Sequence, residues 1–111
     1  TSSPISRKNL KARNQHLSAL KNHVAKLDSP TIIIGDFNTV PWDENMITLK
    51  EDAHLIDSRK SYTSTFPSYL GYAGIPIDYI LHTEEITCTK FKSIPIEGSD
   101  HMGIIGEYVI N

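Results

Sequence analysis

The sequence holds a single cysteine, Cys88, among its 111 residues, so neither an internal disulfide nor a multi-cysteine zinc site can be built from it. Long apolar runs are also lacking. None approaches the ~18 residues that a membrane-spanning helix needs, and the longest are strand-sized. The opening stretch Thr1 to Lys8 has no apolar core of the signal-peptide type. It begins on Thr1 rather than Met, from which a processed or excised chain is expected. Acid is absent from residues 1–27, which carry six of the eleven Lys and Arg, whereas residues 28–111 carry all thirteen Asp and Glu. With a net charge of −2 so divided, a uniform basic surface for duplex DNA is excluded. The basic stretch is then either the solvated face of a helix or a surface that approaches phosphate.

What remains is ordinary globular composition, 39% hydrophobic and 22% charged, which excludes a disordered or collagen-like chain. The length suits one domain, or one half of a larger one, and is too short for two independent cores.

Leu10, Leu17, Leu20, Val24 and Leu27 form one apolar stripe, which predicts an amphipathic helix over Ser6–Leu27, stopped by Asp28-Ser29-Pro30. Thr31 to Ile34 is a β-branched run without polar alternation, the pattern of a strand buried on both faces. Asp43 to about Lys50 suits a short helix with Met46 and Leu49 inward and acids in its first turn. Asp52 to Pro67 reads as polar loop with room for one strand, and Ser68 to Gly74 as a flexible surface loop. Ile75 to His82 alternates, with Ile77, Tyr79 and Leu81 on one face and Asp78, Ile80 and His82 on the other. Ile86–Ile96, broken by Pro95, and Met102–Ile110 are two more strand regions around a turn at Gly98-Ser99-Asp100-His101. The mixture is an α/β (α+β) pattern.

Three places could carry chemistry. Asp36 and Asn38 follow the first strand, where side chains are rigidly held yet exposed. Asp36 can accept a proton or orient a water, and Asn38 can donate hydrogen bonds to a charged oxygen; turn-forming chemistry explains the same residues equally well. Asp78, flanked by Ile77 and Tyr79 in mid-strand, is either an exposed edge residue or a partnered acid that orients a histidine. Asp100-His101 offers a metal-capable carboxylate beside a general base, or simply a polar turn. Asp78 and His101, expected to come from neighbouring strands, should lie within hydrogen-bond reach, roughly 2.6–3.2 Å, with Asp36 and Asn38 nearby. His16 and His23 read as surface residues. His54 and His82 are weak candidates, and Trp42, after Pro41, is expected to anchor a loop or core rather than to form a substrate platform.

Gly35-Asp36-Phe37-Asn38, Ile77-Asp78-Tyr79-Ile80 and Ser99-Asp100-His101 together resemble the three C-terminal motifs of the endonuclease/exonuclease/phosphatase superfamily, the deoxyribonuclease I-like, metal-dependent phosphoesterases. Thr39-Val40-Pro41-Trp42, Thr65-Phe66-Pro67, Arg13 and Gln15 are similar to a bacterial branch of it. The resemblance implies roles residue by residue. Asp36 would activate the attacking water, Asn38 would stabilise the transition-state phosphate, Asp78 would hold the ring of His101, His101 would act as base or phosphate contact, and Asp100 would bind Mg²⁺ or Mn²⁺. Nuclease and phosphatase are not separated by it, and no compartment is indicated.

The resemblance also implies a fold, a sandwich of two mostly antiparallel or mixed sheets flanked by helices. No segment before Asp36 supplies the early Asn and metal-binding Glu of that family's first half. Residues 1–111 are therefore expected to form the C-terminal half of the domain, with an incomplete metal site and no turnover alone. The expected partners are a phosphate-ester substrate and either the missing half or a second copy, covering an apolar sheet face that would otherwise be bare. A non-catalytic binding or assembly module on the same half-fold is the alternative.

Overall fold

The computed structural model describes residues 7–111, with side chains from Gln15 onward except at residues 71–73. The expected start of the first helix at Ser6 and the side chains of Leu10 and Arg13 lie outside the described residues. Helix α1 (Arg7–Val24) is followed by strand β1 (Ile32–Asp36), helix α2 (Glu44–Asp52), the two-residue strand β2 (Ile56–Asp57), a 3₁₀ helix (Ser68–Ala73), and strands β3 (Asp78–His82), β4 (Ile86–Ile94) and β5 (Gly103–Ile110). Helix α1 ends three residues short of Leu27, which is half-exposed beyond it. Helix α2 starts as read, with Asp43 as N-cap accepting the Asn45 N–H at 2.9 Å and Met46 and Leu49 buried.

The strands form two antiparallel sheets. In the first, β3 is central in the order β1-β3-β2, and Asp36 stands opposite Asp78 across the β1–β3 ladder. The second is the β4–β5 hairpin, which has a register shift between Cys88 and Lys90. The two helices cover one face of the first sheet, where Leu17, Val24, Met46, Leu49, Ala53 and Leu55 close over Tyr79 and Leu81, with Ile33 and Phe37 packed alongside. Lys21 on α1 reaches Asp52 on α2 at 3.4 Å. The hairpin leans on the opposite face. Tyr108 meets the ring of buried His82 edge-on, and its hydroxyl lies 2.7 Å from Ser58 Oγ.

Three expectations need correction. The β1 run is buried on one face only: Ile32 is 42% and Ile34 68% exposed. The helices cover the side of Ile33, whereas on the other face the β4–β5 hairpin meets β3 and leaves Ile32 and Ile34 of the edge strand largely open. A β-branched run does not by itself tell one-sided from two-sided burial. Asp78 is the first residue of β3 rather than mid-strand: Pro76, with no N–H to give, cannot extend the ladder backwards. Ser68–Ala73 is a 3₁₀ helix rather than an open loop, its first turn closed by the Leu70 N–H on the Pro67 carbonyl at 3.2 Å.

Candidate active site

Asp36 ends β1, and its carboxylate Oδ1 accepts the backbone N–H of Asn38 at 2.8 Å, an Asx turn. Asn38 sits in the left-handed region at φ 53°, which Asn tolerates better than most residues. Turn chemistry and site geometry are thus the same feature here: the turn leaves Asp36 Oδ2 pointing away from the strand end. A second local turn holds the histidine, where Ser99 Oγ accepts the His101 N–H at 3.1 Å.

The His101 ring bridges the two carboxylates. Nδ1 lies 2.7 Å from Asp78 Oδ2, within the expected range, and Nε2 lies 3.6 Å from Asp36 Oδ2. An ionised carboxylate only accepts, so Nδ1 carries the proton and Nε2 is the edge at which a proton can be taken up or released. The side chains of His101 and Asp78 are mostly buried, whereas that of Asp36 is more open. Asp78 and His101 come from different sheets rather than from neighbouring strands, because His101 lies in the turn before β5 and β5 pairs with β4.

A buried segment between the two sheets joins them. Thr65 Oγ1 accepts the N–H groups of Ile77 at 3.0 Å and Asp78 at 3.1 Å, and the Thr65 carbonyl accepts the Met102 N–H at 2.7 Å. Ser68 adds a hydrogen bond from its N–H to the Asp100 carbonyl at 2.7 Å and one from its hydroxyl to the Ser99 carbonyl at 2.9 Å. The Phe66 ring lies 4.7 Å from that of His101. Thr65→Val keeps the shape but leaves two buried N–H groups without an acceptor. A loss of about 1–3 kcal/mol is expected in urea unfolding, with Thr65→Ser close to wild type; equal stability of the Val and Ser variants would remove the hydroxyl from this role.

Two further residues position the site. Arg59 donates from Nη2 to the Asp78 carbonyl at 2.6 Å, pairs with Asp57 at 3.1 Å, and donates from Nε to the Thr63 carbonyl at 3.2 Å. Its guanidinium also faces the Tyr79 ring at 5.1 Å and the Phe91 ring at 5.4 Å. Tyr79 donates its hydroxyl to the Thr39 carbonyl at 2.6 Å and stacks on Phe37 at 5.4 Å, steadying the loop beyond Asn38. Burial pushes the Tyr79 phenol well above its ordinary range, so it remains a donor. Sequence reasoning missed Arg59 and Thr65 as supports of the site.

Asp36, Asp78 and His101 each offer one ligand atom, and these atoms lie within 4.8 Å of one another, close enough to hold a metal ion. Asp100, the metal carboxylate expected from the sequence, is exposed on the turn and stands outside this group. His16, His23 and His54 are exposed and distant in the fold, and His82 is a buried packing residue bonded through Nδ1 to the Thr83 carbonyl at 2.9 Å. Trp42 is exposed rather than an anchor in the core, and it stacks on Tyr62 instead.

The sequence model of the Endonuclease/Exonuclease/phosphatase family matches residues 2–101. Among solved structures, the chain is similar to a functionally unknown conserved protein from Enterococcus faecalis V583, with TM-score 0.75 and 23% identity over 96% of this chain and 46% of that one. It is also similar to an endonuclease/exonuclease/phosphatase family protein from Bacteroides thetaiotaomicron, with TM-score 0.75 and 19% identity over 91% and 45%. A third is the mannosyl-6-phosphatase Bt3783 of Bacteroides thetaiotaomicron VPI-5482, with TM-score 0.66 and 19% identity over 96% and 48%. The chain therefore spans about half the length of the structures it matches. No curated protein matches it.

Proposed function

The chain belongs to the endonuclease/exonuclease/phosphatase family, and on that premise we propose that it supplies the C-terminal half of a metal-dependent phosphoester hydrolase. The observation that carries this reading is the line Asp78–His101–Asp36, with a 2.7 Å hydrogen bond on one side of the imidazole and a carboxylate 3.6 Å from the other.

Hydrolysis of a phosphate ester needs a water in line with the leaving alcohol and fixed donors around the phosphoryl oxygens. Asp78 holds the imidazole in one tautomer and steadies it when it is protonated, as a carboxylate does for imidazole in other dyads. Nε2 of His101 takes the proton of the attacking water or contacts the phosphoryl group. Asp36 orients that water, and Asn38 lends its amide to a phosphoryl oxygen. The P–O ester bond breaks as the new P–O bond forms, and the alcohol leaves with a proton.

The residues present fit a hard divalent cation. Their donors are carboxylate oxygens and one imidazole, whereas Cys88 is buried on β4. Asp36, the carboxylate of this group outside the Asp78–His101 bond, would hold Mg²⁺ or Mn²⁺ together with water and substrate oxygens, whereas Asp100 stands outside the group. Such a cation, when bound, withdraws charge from the phosphoryl oxygens. The likeness to a mannosyl-6-phosphatase supports a phosphomonoester as one substrate class, alongside phosphodiesters.

The test uses the full-length protein with p-nitrophenyl phosphate and bis(p-nitrophenyl) phosphate. Nitrophenolate release should be abolished by a chelator and restored by Mg²⁺ or Mn²⁺, and the 111 residues alone should be inactive. Release that persists through chelation overturns the metal dependence, and no hydrolysis of either ester overturns the assignment.

A further inference from the structure

Around Arg59, which bonds the Asp78 carbonyl, lies an open surface cavity of about 280 Å³, at the small end of ligand pockets. Its walls are the rings of Trp42 and Tyr62, stacked at 6.4 Å between centroids and 20° between planes. Pro41 and Pro76 complete the apolar lining. Trp42 is 60% and Tyr62 53% exposed, so a pair of large rings is held together at the surface. Scattered single exposed aromatics need no explanation, but a pair that lines a cavity does.

None of the lining residues belongs to the Asp36–Asp78–His101 group, but the chain and one hydrogen bond join the two. Trp42 follows Asn38 by four residues on the same loop, and Pro76 precedes Asp78 by two, at most ~7 Å of chain. Arg59, on the cavity wall, donates to the Asp78 carbonyl at 2.6 Å. Asp57 and Arg59 on the wall pair at 3.1 Å with side chains only 15% and 6% exposed, and Lys60, its third charged residue, donates its ammonium to the Cys88 carbonyl. Apart from these groups the wall is made of two rings, two prolines and Ser61. It suits the uncharged, flat-faced part of a molecule whose phosphate sits at His101.

We propose that Trp42 and Tyr62 form a binding slot for the ring of the alcohol esterified to the phosphate, a proposal that rests on the phosphoester-hydrolase reading. The shared chemistry is an apolar ring face stacked on indole and phenol, as a nucleobase or the C–H face of a pyranose provides.

Binding and kinetics on the full-length protein test it. Adenosine and methyl glucoside, rings without phosphate, are titrated against tryptophan emission in wild type and in Trp42→Phe. Saturable quenching by either, lost in Trp42→Phe, is expected; adenosine alone points to a base and methyl glucoside alone to a sugar. Tyr62→Ala should weaken that binding about tenfold. In turnover, Tyr62→Ala should raise KM for adenosine 5′-monophosphate or glucose 6-phosphate by a similar factor, keep kcat within about twofold, and leave KM for ring-free glycerol phosphate unchanged. No emission response to either ring, together with normal turnover, overturns the slot and leaves the hydrolase standing. Ring binding without hydrolysis of any phosphate ester upholds the slot and removes the hydrolase reading. A Tyr62→Ala loss that is equal for ring-bearing and ring-free esters makes the pair structural and overturns the proposal.

Discussion

His101→Ala in the full-length protein is expected to lower phosphoester turnover about 10²- to 10⁴-fold, the range for a lost general base. The ring is held at Nδ1 by Asp78 at 2.7 Å, which leaves Nε2 to face Asp36. No other described histidine is available to replace it. His82 is buried on β3, and His16, His23 and His54 are exposed elsewhere. Asp78→Asn should follow His101→Ala in direction, because an amide can present its N–H to Nδ1 and stabilise the wrong tautomer. Unfolding midpoints of both variants should stay near wild type, since the pair lies at a strand start and a turn rather than in the helix-covered core. His16→Ala serves as the silent control. The measurement is kcat with the nitrophenyl esters, and a His101→Ala protein within tenfold of wild type would move the base elsewhere.

Arg59→Ala is expected to be the most damaging single change to stability away from the apolar core. Removing one member of a buried ion pair leaves the other uncompensated, at a cost of about 3–5 kcal/mol. Here the guanidinium also satisfies the carbonyls of Thr63 and Asp78 and lies over two aromatic rings. Arg59→Lys keeps the charge but not the planar fork, so it should recover only part of the loss. Urea unfolding checks both, and an Arg59→Ala midpoint equal to wild type would show that Asp57 and the two carbonyls find other partners.

Much of the site was legible because its local geometry is written in adjacent residues. Asp36 and Asn38 close an Asx turn on themselves, Ser99 does the same for His101, and Asp43 caps α2 two residues from its acceptor bond. Each is a short-range signal of the kind a sequence displays. The supports were not legible for the opposite reason. Arg59 acts on a carbonyl nineteen residues away, and Thr65 on N–H groups twelve and thirteen residues on. Neither residue type has a pattern that announces such a partner. In the fold, periodicity found α2 and the β4–β5 strands. It could not tell that Ile32 and Ile34 lie on a sheet face left open, nor that Trp42 turns outward, because burial depends on what packs opposite and not on the run itself.

The bracket at Thr65 and Ser68 has a consequence for how the molecule breathes. The turn carrying His101 is fastened by three hydrogen bonds reaching from residues 65 and 68 to residues 99, 100 and 102. It cannot fray alone, as an exposed turn usually would, because releasing it means parting the hairpin from the strand that bears Asp78. Local opening of the site and sub-global opening of the β4–β5 unit are therefore one event. The Met102 amide should exchange its proton on the timescale of that whole unit, slowly for a residue at the end of a surface loop. The lifetime of the aligned His101 ring is then set by hairpin docking rather than by the ring's own motion.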